Sequence, residues 1–306
     1  MNFREKLADP SEAMSLFEMV PPAGGKPGAL EAALAEAGRV GSRVDAINLP
    51  EIHDENRNQP RTAKYVERIE PRKLGARIRR DLGVEVVINR CVVRDPDPVP
   101  WFGETVSELG LRHVVIVGGE SSQMTYPGPG VVDAARRLAD AGLDVTLGGI
   151  AIPSRVHEAD RIRRKAAAGL SFFTTQVLFD SNDIVWLLQR LNGLDARIFL
   201  SFAPVSHPRD LEFLRWLGVD IPADLDRFLL QGTPESPEGV AGCFQRSLDL
   251  CQRILVDVFD NLPPDPPAIG LNIEHINKRN FAPALQMLER LGELYEHRIS
   301  ARSSLA

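Results

Sequence analysis

The sequence has few cysteines and none of the spacings that hold a metal or a bridge. Its three cysteines, Cys91, Cys243 and Cys251, form no Cys-x-x-Cys pair and have no histidine at ligand spacing. Neither a disulfide framework nor a structural zinc site is indicated. No two histidines share metal spacing either, so the sequence predicts no metal site.

Long apolar runs and a surplus of positive charge are also missing. No stretch reaches the ~18 apolar residues that a membrane-spanning helix needs, and the opening MNFREKLADP lacks the apolar core of a signal peptide. We therefore expect a cytoplasmic protein. The formal net charge of −6 argues against a nucleic-acid-binding surface. The basic cluster RIRRK at Arg161–Lys165 has two interpretations, a solvated helix face or a contact with a phosphate or carboxylate.

The usual nucleotide-binding signatures are absent as well. No Gly-x-Gly-x-x-Gly follows a predicted strand, which argues against a Rossmann site. Gly118 and Gly119 resemble part of a phosphate loop, but no Gly-Lys-Ser or Gly-Lys-Thr follows them. We favour a turn that ends a strand and carries one inward carboxylate, Glu120.

Strand-like runs alternate with amphipathic helical patterns along nearly the whole chain. This alternation is typical of a (β/α)8 TIM barrel rather than an open sheet. The eight runs are Ser15–Pro21, Val44–Glu51, Val84–Val93, Arg112–Glu120, Asp144–Ile152, Ser171–Asp180, Ala196–Val205 and Ala268–Asn277. We predict a single barrel domain over 1–306, an elaborated crossover at Pro208–Pro267 between strands 7 and 8, and a polar tail at 298–306 that frays.

Polar residues collect where these strands end, which is where TIM barrels place their chemistry. They are Glu18, Asn48, Glu51, Asn89, Arg90, Glu120, Ser121, Ser122, Gln176, Ser206, His207, Glu274, His275 and Asn277. Strand 5 ends with Gly148 and Gly149 instead, which we expect to let a flat ligand lie against the backbone. Carboxylates and amides with few cations suit a neutral or cationic heterocycle rather than a phosphate.

Two of these residues, Gln176 and Glu18, lie in apolar segments, where burial constrains their hydrogen bonding and their pKa. Gln176 is the single amide in the predicted strand Phe172–Asp180, and a buried amide without a partner costs about 1–3 kcal/mol. It bonds either a neighbouring group or a ligand. Glu18 lies in FEMVPP, where burial would raise its pKa toward neutrality and make it a proton donor. The alternative is an ion pair with Arg90 or a lysine.

Five segments taken together resemble methylenetetrahydrofolate reductase. They are FEMVPP at strand 1, the Gly-Gly-Glu turn after strand 4, KAAAGLSFFTTQVLFD through strand 6, APVSHPRDLEFLRWLGVDIP after strand 7 and LNIEHINKRNF at strand 8. The sixth-strand segment is the most specific. The resemblance implies reduction of 5,10-methylenetetrahydrofolate to 5-methyltetrahydrofolate, with NADH or NADPH as hydride donor.

The resemblance also implies roles for individual residues. Glu18 matches the acid that protonates the folate so that its imidazolidine ring opens to an iminium ion, and Glu120 a carboxylate that favours this cation. Gln176 matches the glutamine that holds the pterin, and Lys278 a basic residue near the benzoyl-glutamate tail. We add Asn48, Glu51 and His207 as substrate-binding candidates. Cofactor-binding candidates are Gly118, Gly119, Arg164 and Lys165.

The chain departs from the flavin-containing members of the family. Its second strand ends NLPEIHDENR and its fifth is followed by AIPSRVHEAD, where those members carry other motifs; only the basic pair Arg164 and Lys165 matches. We therefore expect no tightly bound FAD, as in a flavin-independent branch that passes hydride directly to the folate, with Glu51 or Glu55 as a second carboxylate. The alternatives are a pterin-binding methyltransferase acting with a corrinoid protein and a catalytically silent partner subunit.

Overall fold

The structure, a computed structural model, describes residues 1–54, 64–119, 124–232 and 237–304. Its strands form a closed parallel barrel in which each strand pairs with the next in sequence and β8 pairs with β1. The (β/α)8 prediction is confirmed, although each strand ends before its apolar run does. The bounds are β1 Ser15–Met19, β2 Ala46–Leu49, β3 Glu85–Cys91, β4 His113–Val117, β5 Thr146–Ala151, β6 Leu170–Thr175, β7 Arg197–Phe202 and β8 Ala268–His275.

Most helices surround the barrel and bury their apolar faces against the outward side chains of the strands, whereas the first helix packs through Phe3 and Leu7 with the interior cluster. Their bounds are α1 Phe3–Ala8, α2 Ala29–Val40, α3 Pro71–Leu82, α4 Val99–Ser107, α5 Val131–Asp140, α6 Glu158–Ala167, α7 Ser181–Arg190, α8 Pro208–Trp216, α9 Ala223–Leu229, α10 Pro237–Asp260 and α11 Phe281–Ser303. The predicted elaborated crossover between β7 and β8 carries α8, α9 and α10. Within the described ranges, no helix is long and apolar enough to cross a membrane.

The polar tail is helical where the sequence predicts fraying. The helix α11 continues through Ser303, because Ile299 is buried and Arg298 Nη1 lies 2.6 Å from Asp260 Oδ1 on α10. The predicted fraying of 298–306 stays a prediction, and residues 305–306 lie outside the described part of the chain.

Two phenylalanines fill the interior of the barrel. The rings of Phe172 on β6 and Phe199 on β7 meet edge to face, with centroids 6.0 Å apart. A Cβ on Gly148 would overlap the Phe172 ring, and a Cβ on Gly270 would overlap the Phe199 ring. The expectation that a flat ligand lies against the backbone of Gly148 and Gly149 was wrong. The Phe172 ring occupies the space beside Gly148, and the side chains of Leu170 and Phe173 occupy the space beside Gly149.

The amino-terminal end of the barrel is closed around Arg197. This fully buried guanidinium donates hydrogen bonds to five backbone carbonyls, those of Lys6, Leu7, Asp9, Glu12 and Ile269. Four of these carbonyls belong to α1 or the turn after it, so the interaction fixes that segment to β7 and β8. The opposite, carboxyl-terminal end of the barrel is therefore where inward side chains can contact a ligand.

Candidate active site

A polar layer lies directly above the interior phenylalanines. Side chains alternate along a strand, so Leu16 and Phe199, which pack in the inner cluster, place Glu18 and Ser201 on the inner face two residues later. By the same period, Gly270 is followed by Asn272 and Glu274 on β8. The register pairs Glu18 with Asn48 on one side and with Glu274 on the other, and pairs Ser201 with Asn272.

Neutral hydrogen-bonding side chains surround the two carboxyl groups of this layer. Asn48 donates through Nδ2 to Glu18 Oε2 at 2.8 Å. Asn272 donates through Nδ2 to Ser201 Oγ at 2.9 Å, and Ser201 acts on Glu274 as a donor that lowers the pKa of that carboxyl group. Because Asn48, Ser201 and Asn272 have no exposed surface, these donors are fixed in place. The prediction that Asn48 and Glu18 share a site is consistent with this geometry.

The two carboxyl groups hold protons more tightly than ordinary glutamates. Burial raises the pKa of Glu18 from 4.5 to about 7. Burial, and then the charge of Glu18, raise the pKa of Glu274 well above its usual range, against the hydrogen bond from Ser201. Neither carboxylate forms an ion pair with a lysine, arginine or histidine in the described ranges. These two carboxyl groups are therefore at least partly protonated near neutral pH.

Arg90 does not pair with Glu18, which answers the alternative that the sequence left open. Its guanidinium lies 2.7 Å from Glu51 Oε1 and 3.0 Å from Asp95 Oδ2, and stacks on the Trp101 ring at 4.7 Å. Since Asn89 belongs to the inner face of β3, the next residue, Arg90, points outward.

Glu51 is held by a network of its own. Its Oε2 accepts from the Cys91 amide at 2.8 Å and lies 3.2 Å from His53 Nε2, while Oε1 contacts Arg90. Burial on its own raises the pKa of Glu51, but the His53 hydrogen bond, the charge of Arg90 and the Cys91 amide together bring it below the ordinary value. Glu51 is therefore an ionised member of an ion-pair cluster. Its predicted alternative, Glu55, lies outside the described residues.

Gln176 follows β6 directly. The sequence predicted that it lies in the middle of a strand, and that prediction was wrong. Its Nε2 donates to the Leu217 carbonyl, 3.0 Å away, at the end of α8. The apolar run continues past Thr175 because Val177 and Phe179 pack with Leu211 and Leu214 of α8 rather than within the sheet layer. One end of the amide thus bonds backbone, and no described residue bonds Oε1.

The loop after β7 is organised by Asp210. Asp210 Oδ2 accepts from the amides of Ser206 and His207, each at 3.0 Å, and Oδ1 accepts from Asn277 Nδ2 at 3.0 Å. His207 caps α8, with Nδ1 accepting from the Arg209 amide at 3.1 Å. These bonds join the loops that follow β7 and β8.

The end of β8 and the loop after it contain two further candidate residues, Lys278 and His275. Lys278, a predicted substrate-binding residue, is exposed on a short 3-10 helix. His275, expected at the pocket, instead faces outward against Phe17, with ring centroids 6.3 Å apart, and Phe281. Burial lowers its pKa to about 4, so it is uncharged at neutral pH. The expectation for His275 was wrong, because its neighbour Glu274 takes the inward position.

The predicted cofactor positions do not form an open diphosphate cradle. A Cβ at Gly119 would overlap the Tyr126 ring, so that surface is already covered. Lys165 donates from Nζ to the Ile150 carbonyl at 2.7 Å, and burial lowers its pKa. Of Gly118, Gly119, Arg164 and Lys165, only Arg164 presents an exposed cation. These residues do not fit a flavin diphosphate as they stand. Glu120, Ser121 and Ser122 lie outside the described residues.

The sequence does not single out Ser201 and Asn272 as members of the site, and it offers Glu274 only as one of many polar residues at strand ends. The end of β8 carries Glu274 and His275 side by side, and the strand-end rule alone does not tell which of them faces inward. The available signal was the two-residue period from Gly270 through Asn272 to Glu274, which would have separated it from His275.

Comparison with known proteins supports the architecture. No protein-family model matches the sequence, and no curated protein matches it. Among solved structures, an uncharacterized protein from Clostridium thermocellum that binds two copies of 5-methyl-5,6,7,8-tetrahydrofolic acid matches with a TM-score of 0.72. The two are 20% identical, and the match covers 95% of this chain and 99% of that one. At this identity, the likeness establishes that the chain shares that protein's fold.

Proposed function

We propose that this chain binds a reduced folate at the carboxyl end of its barrel and reduces 5,10-methylenetetrahydrofolate to 5-methyltetrahydrofolate with NADH or NADPH. The observation that carries the proposal is Glu18, a carboxyl group with a pKa of about 7 that accepts a hydrogen bond from Asn48 and has no described cation beside it. An acid of this pKa is half protonated at neutral pH, which suits a general acid.

The composition of the layer favours a cationic intermediate. Besides the two carboxyl groups, the buried oxygens Asn48 Oδ1, Asn89 Oδ1 and Asn272 Oδ1 have no hydrogen-bond partner among the described residues. A layer rich in acceptors is best satisfied by a ligand that brings N–H donors or positive charge. The tetrahydropterin ring has such donors, and an iminium ion supplies the charge.

The proposed reaction uses Glu18 once per turnover. Glu18 gives its proton to the ring nitrogen whose bond to the methylene carbon breaks, which leaves an iminium ion on the other nitrogen and a carboxylate on Glu18. Hydride from the nicotinamide then adds to the methylene carbon, giving the methyl group and NAD(P)+. Solvent returns a proton to Glu18.

The comparison with the Clostridium thermocellum protein supports the folate part of this proposal. Because 5-methyltetrahydrofolate is the product of the reductase and also the methyl donor of a methyltransferase, the same likeness favours a pterin-binding methyltransferase as a second candidate. The two differ in their need for a hydride donor.

An absorbance experiment separates the candidates. The purified protein is scanned, then given NADH or NADPH, then 5,10-methylenetetrahydrofolate in the same cuvette. We expect a colourless protein that oxidises the nicotinamide only after folate is added, and a Glu18→Gln variant that folds but does not turn over. A yellow protein that bleaches on NADH would require a flavin, and no oxidation with either donor would favour methyl transfer.

A further inference from the structure

Glu18 and Glu274 are neighbours across the seam that closes the barrel. They are register partners on the adjacent parallel strands β1 and β8, with side chains on the inner face. Strands in a sheet lie about 4.8 Å apart, so two negative charges here would repel strongly. The charge of Glu18 is in fact one of the causes that raise the pKa of Glu274.

The surroundings of the pair supply hydrogen bonds but no compensating charge. Asn48 from β2 donates to Glu18, while Ser201 from β7, itself held by Asn272 of β8, lowers the pKa of Glu274 as a hydrogen-bond donor. None of these three side chains titrates. His275 faces outward, and Arg90 is engaged by Glu51. In the part of the chain that the structure describes, only a proton can neutralise either carboxylate.

We propose that Glu274 is a positioning residue for the protonation step: it shares a proton with Glu18 and so keeps the acid form of Glu18 populated above neutral pH. This inference rests on the proposed function for its catalytic meaning, whereas the sharing itself is a property of the pair.

The expected consequence is a change in how Glu18 loses its proton. An isolated acid loses about tenfold of its protonated form for each pH unit above its pKa. In a coupled pair, the second proton leaves in a separate, later step. Between the two steps one proton remains and is divided between both groups in a ratio that does not depend on pH. The protonated fraction of Glu18 therefore reaches a plateau instead of falling steadily.

The sharing is tested by carbon-13 NMR of protein labelled at the glutamate side-chain carboxyl carbons, titrated from acid to alkaline pH. The variants are Glu18→Gln and Glu274→Gln, with the exposed Glu289→Gln as matched control. We expect two separated steps in the unmodified protein and a single Glu18 step near neutrality in Glu274→Gln. In Glu18→Gln, Glu274 should titrate at lower pH than before, because the repelling charge is gone. Glu274 titrating identically with and without Glu18, or both groups titrating as ordinary glutamates, would overturn the pair.

The role of the pair is tested by the pH dependence of kcat. We expect the unmodified protein to lose activity less steeply than tenfold per pH unit above neutrality, and Glu274→Gln to lose about tenfold per unit. A merely structural role would lower kcat by the same factor at every pH and would overturn the proposal for Glu274. If the protein shows no turnover with either nicotinamide, the reductase proposal fails, and the NMR titration alone decides whether the pair exists.

Discussion

The raised pKa of Glu18 has a consequence for stability that can be measured without any substrate. Folded Glu18 binds its proton more tightly than the unfolded chain does, since its pKa rises from 4.5 to about 7. Folding is therefore linked to proton uptake in this range. The contribution of Glu18 is fully present below pH 4.5 and is lost as the pH rises through about 7. Replacing Glu18 by Gln should remove the part of the pH dependence that comes from Glu18 and leave the part that comes from Glu274.

The magnitude follows from the difference between the two pKa values. Each unit corresponds to about 1.4 kcal/mol, so the ionised carboxylate destabilises the folded state by about 3 kcal/mol above neutral pH. Glu18→Gln should accordingly be more stable than the unmodified protein by about 3 kcal/mol at pH 8, and equal to it at low pH. For a chain of 306 residues, this corresponds to about 5 °C in Tm.

The assay is thermal and urea denaturation of both proteins across this pH range, followed by circular dichroism. Glu289→Gln, on the exposed face of α11, controls for the loss of one negative charge. A stability difference between Glu18→Gln and the unmodified protein that stays constant with pH would refute the raised pKa. A Glu18→Gln variant less stable than the unmodified protein at pH 8 would show that the carboxylate has a cationic partner.

Three further substitutions test other parts of the account. Gln176→Ala should raise KM for the folate more than it lowers kcat, and an unchanged KM in steady-state kinetics would remove Gln176 from folate binding. Gly270→Ala should cost about 1–3 kcal/mol in urea denaturation because its Cβ overlaps the Phe199 ring; the pair Gly270→Ala with Phe199→Leu should regain part of this loss, and no loss in the single variant would contradict the packing. Arg197→Leu should remove five hydrogen bonds to backbone carbonyls, of which only those of Lys6, Asp9 and Ile269 keep another donor among the described residues. We expect it to destabilise the protein by at least about 3 kcal/mol and to speed amide hydrogen exchange in α1; unchanged exchange there would contradict the role of Arg197.

Much of the fold follows from the sequence because a parallel strand covered on both faces reads as an apolar run. IVWLLQRLNGL predicts a helix for a comparable reason, since its apolar residues recur at helical spacing, and α7 covers Ser181–Arg190. The strand-end rule also brings Glu18 and Asn48 to one site. These inferences depend on local pattern and on the general topology of barrels.

What the sequence could not decide is which of two adjacent polar residues faces inward. Glu274 and His275 both lie at the end of β8, and only the phase set by the barrel interior assigns Glu274 to the pocket. The sequence also leaves the partner of Arg90 open, because Glu18 and Glu51 both lie at the ends of predicted strands. Only the three-dimensional structure shows that Arg90 pairs with Glu51. Nor does the sequence show that the Phe172 ring occupies the space left by the missing side chain of Gly148.

The most direct test of the central claim follows the hydride itself. The protein is incubated with 5,10-methylenetetrahydrofolate and NADH or NADPH deuterated at the transferred position of the nicotinamide, and the folate product is examined by mass spectrometry. Direct transfer predicts 5-methyltetrahydrofolate carrying one deuterium in its methyl group. A methyl group whose new hydrogen comes from solvent would contradict direct transfer, and absence of the methyl product would contradict the reductase.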